Sequence, residues 1–513
     1  MRYHLGNRNF LKSLLAAAIT IALASFRAFY LVRGAWSPHA QQKSPRYKGI
    51  VSRQLLETTP DDNANANTTL TSRQLRKGIT PNNAQDTYTN SSSDSNDNER
   101  EYTAVARETL TINTFTNFQP PSDASFGLNT LDNGLFLADG ITARIVAISG
   151  HKVPYHTDGG TFSTTPFHAR PDGATIVPDP RPSNPGGYIY VSNSEVPHHN
   201  GGVGALTFTA QGQILDYRRV LTGSTMNCNG GKTWFGAWIS CEEDFDEENG
   251  NCWQVDPTGV RVPPAQPITL GSDGGVFEAF AYDIRNPSKP RFYITEDTSW
   301  GPLRRFTPDA PDFNKPWEVL LGPGQTEYLL LNPADGTFFW TTDKNVAGQN
   351  ARAFYPNSEG IDVSGNMLFF VSKVRHTVFE LDLDAATYVQ KSTLGGLFEG
   401  QPDILRNLLD DNNGDNTLLL FTEDGGDRAG IHARDSDGNF YVLCESNLFQ
   451  PETTGIAITP DGTRIYFAYQ NDGILYELRR NDNQSFRVAA LNLKTHPAEM
   501  TDAERRKRHR RYS

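Results

Sequence analysis

The chain is predicted to be all-β and of the β-propeller class, on three observations. Short β-branched and aromatic runs recur from about Phe126 onward, broken by turns that contain glycine. Helical 3.6-residue periodicity is nearly absent. The runs pair into hairpins of strand, tight turn and strand, repeated with irregular spacing over about 350 residues, as expected of blades set around a central channel. An array of β-sandwiches is the structural alternative.

The N-terminal segment, residues 1–33, carries an address. Arg2, His4, Arg8 and Lys12 precede the apolar run Leu14 to Phe26, with Ala22, Ala24 and Ser25 near its end. Basic region, apolar region and small residues are the pattern of a secretory signal. If Arg27 is tolerated the run extends to Val32, and residues 14–32 become a type II membrane anchor, since a span needs about 20 apolar residues. Ala24-Ser25-Phe26 before a stretch with no acid until Glu57 also resembles a two-part plastid address. Each reading sends the protein into the endomembrane system, the first two to an extracellular or membrane-anchored destination and the third to a plastid.

Residues 34–125 are dominated by Asn, Asp, Ser and Thr, notably in Asp61 to Thr69 and Asn90 to Asn98. Such a segment buries too little apolar surface to offset chain entropy, so a disordered stalk is expected. Asn67-Thr68-Thr69 and Asn90-Ser91-Ser92 match the glycosylation pattern.

The predicted propeller body occupies residues 126–485. Its clearest hairpins are Ala205 to Tyr217 around Gln211-Gly212, Gln254 to Val262 around Pro257-Thr258-Gly259, Ile361 to Val371 around Ser364-Gly365, Ile431 to Leu443 around Ser436-Asp437-Gly438, and Ile456 to Tyr469 around Pro460-Asp461-Gly462. Asp403 to Leu409 is the clearest short helical candidate. The run Asp410 to Asn416 mimics a calcium loop without the distant bidentate glutamate, and reads as a hairpin tip. Residues 486–513 form a basic tail ending in the block Arg505 to Arg511, solvated by default.

Composition narrows the function. The formal net charge of −12 excludes nucleic acid as the main partner, because a phosphate backbone needs a basic footprint. Apolar content of 37% with 21% charged residues describes a turn-rich globular body rather than a membrane bundle. The cysteines Cys228, Cys241, Cys252 and Cys444 are too few for a disulfide scaffold, and a Cys241–Cys252 bridge is left open.

The densest chemistry lies in Asn227 to Asp244, NCNGGKTWFGAWISCEED. Glycines after Cys228 let backbone approach a ligand or another strand closely. Ala237 to Cys241 reads as a short apolar strand burying Trp238 and Ile239. Alternation then points one of Glu242 and Glu243 into the space the strand borders and the other away. A thiolate converging with carboxylates could hold a transition metal such as iron or zinc; a buried structural cysteine beside a solvated acidic loop is the alternative. Further acids recur at strand ends or beside glycine: Glu195, Glu278, Asp297, Glu359, Asp424 and Glu452. One such acid is an ordinary turn residue. Their recurrence in separate segments asks for compensating cations or solvent.

The cysteine segment resembles the signature N-C-x-G-G-x-T-P-W-G-T-W-x-x-C-E-E of the PhoX-type alkaline phosphatase family, with Trp234 in place of proline and Phe235 in place of tryptophan. An N-x-E segment (Asn193 to Glu195), E-A-x-A-x-D (Glu278 to Asp283), T-E-D (Thr295 to Asp297), E-G-I (Glu359 to Ile361) and E-x-T-G (Glu452 to Gly455) follow the family's order. The resemblance covers roughly residues 126–480 and implies six blades around a cluster of iron and calcium. It makes Cys228, Glu243, Glu278, Asp297 and Glu359 the expected ligands, with Glu452 and Asp424 added, and Lys232 and Glu195 the expected substrate contacts. No catalytic residue is assigned.

Two positions depart from the family's phosphatases. Asn357 stands where they carry an arginine for the substrate phosphate, and Phe277 where they carry a histidine. Loss of a bidentate phosphate donor weakens phosphomonoester hydrolysis more than it weakens metal binding. The implied activity is therefore metal-dependent hydrolysis of a small phosphoester or organic ester by a monomer. The alternatives are a non-catalytic, metal-stabilised binding propeller and a calcium-dependent lactonase-like hydrolase.

Overall fold

The computed structural model describes residues 128–487, apart from 157–160, 246–249, 396, 399 and 409–417, together with Thr495 and His496. The expected N-terminal address, the stalk with its glycosylation sites, the Asp410–Asn416 run and the Arg505–Arg511 block lie outside the described residues. Among the described residues no helix is long and apolar enough to cross a membrane.

The body is nearly all-β, in a propeller-like arrangement of antiparallel sheets. Pro171–Pro178, Tyr188–Ser194, Gly202–Phe208 and Ile214–Thr222 form one sheet; Asn227–Lys232, Trp238–Glu242, Cys252–Val255 and Ala265–Pro267 form the next. A nine-stranded sheet runs from Phe277–Asp283 through Thr337–Thr341, then through Thr387–Ser392 back to Ser358–Ser364. Its halves meet at the pair Thr337 and Thr387. Gln401–Asn407, Leu418–Asp424, Gly430–Asp435 and Phe440–Glu445 make a further sheet, extended by Leu135–Ala138 and Leu128–Asp132. In the last, Thr453–Ile458, Arg464–Tyr469 and Ile474–Arg480 are completed by the N-terminal strand Ile141–Ile148. Early and late chain thus share one sheet, which closes the ring.

The strands nearest the centre are Pro171–Pro178, Asn227–Lys232, Phe277–Asp283, Ser358–Ser364, Gln401–Asn407 and Thr453–Ile458. Each packs beside the next, and the last returns to the first. Separate apolar cores fill the wedges between neighbouring sheets. Tyr188, Phe208 and Leu206 meet Tyr466 and Ala468 in one. Val191 and Val220 meet Trp238 and Val255 in another. Cys241 and Cys252 join Phe280, Phe292 and Phe306 in a third. Because both faces of most strands are covered, the hairpins read as continuous apolar runs rather than clean alternation.

Four of the five expected hairpins pair as anticipated. The hairpin expected to end at Val262 does not: Cys252–Val255 pairs instead with Ala265–Pro267. The Asp256 carboxylate accepts hydrogen bonds from the backbone N–H groups of Thr258, Val260 and Arg261, and this lengthens the turn. The helix expected over Asp403 to Leu409 is contradicted, since Gln401–Asn407 is a strand. Its short apolar run fits a buried strand as well as a buried helix turn, and pairing with Leu418–Asp424 decides it. Among the described residues an α-helix does form at Lys344–Phe354, starting at Asp343, whose side chain accepts from Asn345 N and Val346 N.

Candidate metal centre

At the start of each central strand the pairing with its neighbour slips by one residue. The slips lie between Pro171 and Ala174, Asn227 and Gly230, Phe277 and Phe280, Ser358 and Ile361, Pro402 and Leu405, and Thr454 and Ala457. Bulges of this kind re-aim a side chain. The first residue within the slip is Asp172, Cys228, Glu278, Glu359 and Asp403 in the first five strands; in the sixth it is Gly455. One backbone irregularity, repeated around the ring, carries five ligand-type side chains. All five are buried, Glu278 completely.

A second tier comes from the ends of the adjoining strands: Glu195, Glu243, Asp297 and Asp424, with Lys373 at the corresponding position after Met367–Ser372. Their backbone N–H groups are held in a common way, Glu195 N to Arg170 O, Glu243 N to Met226 O, Asp297 N to Val276 O and Lys373 N to Asn357 O. Glu242, as alternation requires, turns away and accepts from Thr225 N and Asn251 N.

Among the described residues two groups of donors converge. Ligand atoms of Cys228, Glu243 and Glu278 lie within 4.8 Å of one another, and so do those of Glu278, Glu359 and Asp403. Glu278 belongs to both. Neither of its carboxylate oxygens has a nitrogen or oxygen hydrogen-bond partner, and the side-chain oxygens of Asn229 and Gln470 are likewise buried without donors. The Cys228 Sγ lies 3.6 Å from Asp172 Oδ2, which also accepts from Gln470 Nε2 at 2.6 Å.

The Cys228 strand can enter this crowded centre because of its glycines. A Cβ on Gly230 would sit 1.8 Å from Ile239 O, and one on Gly231 would sit 1.9 Å from Phe280 O. Asn193 fixes the turn from below: its Nδ2 donates to Cys228 O and Asn229 O, and its Oδ1 accepts from Trp238 Nε1.

The electrostatics are unbalanced. Burial, and then Glu359, raise the Glu278 pKa well above the usual glutamate value. Burial followed by Asp297 does the same for Glu243 and Glu359, and burial followed by Asp172 for Asp403. Asp172 is raised by burial and Glu195, and Glu452 is pushed to about 7 by burial and Asp424. Burial and the Asp172 charge push the Cys228 thiol up. Against these acids the described residues set Arg170, spent on Glu195, and Lys373, whose Nζ lies 2.9 Å from Asp297 Oδ2 and 2.7 Å from Glu359 Oε1. Burial works to raise Asp297, but the Lys373 charge together with side-chain hydrogen bonds to Glu243, Lys373 and Asn357 Nδ2, the last at 2.8 Å, holds this carboxyl below its usual value.

These residues fit metal ions. Buried acceptors without donors, and a thiol that only a nearby cation would deprotonate, form a donor set short of positive charge. The sulfur-containing group suits iron or zinc, and the all-oxygen group suits calcium.

The structure brings Cys228, Glu243, Glu278, Asp297 and Glu359 together. Asp424 and Glu452 sit at the rim, joined by a β-bridge. Glu195 is held by Arg170 rather than left open to solvent. Lys232 is elsewhere, lining a separate cavity. Phe277 is buried in the core between sheets, under the Arg304 guanidinium. Sequence reasoning missed Asp172, Asp403 and Lys373. The first two were findable, since Pro171-Asp172-Gly173 parallels Ser358-Glu359-Gly360 and Asp403 opens a strand in the same way. Lys373 follows an ordinary strand and carries no signal of its own.

No family model matches the chain, and no curated protein matches it in sequence. Its fold is similar to that of Pseudomonas fluorescens PhoX in complex with vanadate, a transition state analogue, at TM-score 0.54 and 14% identity, covering 71% of this chain and 98% of that one. A Xanthomonas campestris gluconolactonase (TM-score 0.35, 13% identity, 66% and 97% covered) and an Agrobacterium tumefaciens regucalcin (0.36, 14%, 63% and 94%) are more remote. At these identities the likeness concerns the fold alone.

Proposed function

We propose that this chain is a metal-dependent hydrolase of small phosphoesters, holding iron and calcium in its central channel. The observation that carries the reading is Glu278, a fully buried carboxylate without a nitrogen or oxygen donor, shared between a sulfur-containing and an all-oxygen donor group. Ions held there would supply Lewis acidity to neutralise charge developing on a phosphoryl group. The chain itself contributes burial and orientation: Asn193 holds the Cys228 turn, the strand slips aim the acids inward, and Lys373 fixes Asp297 and Glu359. Asn357, which stands where the resembled phosphatases carry an arginine, is engaged with Asp297, and Lys373 is the ammonium beside it. We read the ring as six blades, dividing the nine-stranded sheet at its Thr337–Thr387 pair; the slip repeated in six central strands supports that count. The secretory-pathway destination and monomeric state remain proposals from sequence.

Elemental analysis of purified protein together with p-nitrophenyl phosphate turnover tests this. Iron with calcium and release of p-nitrophenol are expected. Calcium without turnover would replace the reading with a binding module, and lactone opening on calcium alone with a lactonase.

A further inference from the structure

The central channel is polarised along its length. The acids occupy the first residues of the central strands, and a cavity of about 340 Å³ lies toward their other ends, to which all six strands contribute. From Cys228 to Lys232 the separation is four residues, or about 13 Å of extended strand. The volume is at the low end of the range for small-molecule sites.

The charge here has the opposite sign. Arg406 enters the cavity wall with its Nη1 donating to Leu405 O at 2.8 Å and Ile361 O at 3.4 Å, while its Nη2 is buried without a partner. No carboxylate of the described residues lies within ion-pair distance of it. Asp362 is nearby, but its oxygens accept from the backbone N–H groups of Val363 and Asn407. Lys232 is exposed and also has no ion-pair partner among the described residues. The other basic groups in the wall are committed: Arg285 to Asp283 and Asp384, and Arg487 to Leu408 O and Pro460 O. A largely buried guanidinium with an unused donor is costly unless an anion completes it. Phe280, Ile361 and Ile456 supply apolar wall beside it.

We propose that this cavity binds a small organic oxyanion, a carboxylate or phosphate on an apolar body, through Arg406 and Lys232, separately from the acidic centre. Arg406 supplies the forked, permanently charged donor and Lys232 a mobile one. The site does not depend on the metal reading.

The test is isothermal titration calorimetry on the full chain with benzoate and with phenylphosphonate, which share an aromatic body and differ in the anion. Saturable binding of at least one is expected, and the one bound more tightly identifies the anion class. Binding should persist in Cys228→Ser and weaken about tenfold or more in both Lys232→Gln and Arg406→Gln, as loss of a charge-assisted hydrogen bond requires. Lys232 is exposed, so its variant folds and remains informative if Arg406→Gln does not. Three results would overturn the proposal: no binding of either probe, binding unchanged in Lys232→Gln, or binding that disappears in Cys228→Ser and so belongs to the acidic centre.

Discussion

Replacing Lys373 with methionine keeps the bulk of the side chain and removes the ammonium that lies 2.9 Å from Asp297 and 2.7 Å from Glu359. Taking one partner from a buried ion pair costs about 3–5 kcal/mol, because the other charge is left uncompensated. The lower end applies here: the Lys373 side chain keeps 23% of its exposure, and Asp297 can protonate once its partner is gone. In protein stripped with EDTA, Lys373→Met should therefore lose about 3 kcal/mol of unfolding free energy. Calcium reverses this by taking the ammonium's place: an ion bound there in the variant, beyond those the wild type holds, adds about 2.7 kcal/mol to the folded state at about 100 times its Kd. Urea titrations of both proteins, with EDTA and with saturating calcium, read the difference as a shift in midpoint at constant slope. The reasoning is refuted if the variant loses as much stability in calcium as in EDTA, or loses none in EDTA.

Glu278→Gln should lower the binding of both iron and calcium while making the stripped protein no less stable, since it removes a buried charge from a repulsive cluster; elemental analysis beside urea unfolding checks both halves. Cys228→Ser should lose the iron and keep calcium, with little change in fold, as inductively coupled plasma measurement and circular dichroism will show. In stripped protein, the carboxyls whose pKa is raised by burial bind protons more tightly folded than unfolded. Their contribution is complete below the ordinary carboxylate value of 4.5 and is lost as pH rises, with Glu452 titrating at about 7. Asp297, held low, works in the opposite direction and loses its contribution as pH falls. The net expectation is an EDTA-treated protein that weakens as pH rises out of the ordinary carboxylate range, with the Glu452 contribution lost at about 7, while calcium flattens the profile, followed as thermal midpoint against pH. Asn193→Ala leaves Trp238 Nε1 and two backbone carbonyls without their partner, and should cost about 2–3 kcal/mol by urea unfolding.

Much of the ring could be read from the chain, because a glycine-marked hairpin is a local feature. Gln211-Gly212, Ser364-Gly365 and Asp461-Gly462 each sit between strands that pair with one another. The cysteine segment was legible for the same reason: its glycines, tryptophan and paired glutamates act within one hairpin. What could not be read is set by register and by ring closure. Nothing local tells that Ile141–Ile148 completes a sheet made by residues 453–480. Asp403 was hidden because an apolar run of strand length has no periodicity to separate strand from helix turn. Lys232, only four residues beyond Cys228, was expected at the same site; strand rise carries it to the other end of the channel. Lys373 acquires its role only when its sheet is placed opposite the acids.

The account rests on Glu278 serving two cation sites at once. Metal content per chain, measured on wild type and Glu278→Gln purified side by side, tests this most directly. A wild type holding more than one cation, with both the iron and the calcium reduced in the variant, is the predicted result. Wild-type protein free of bound metal, or a variant that keeps its full complement, would contradict it.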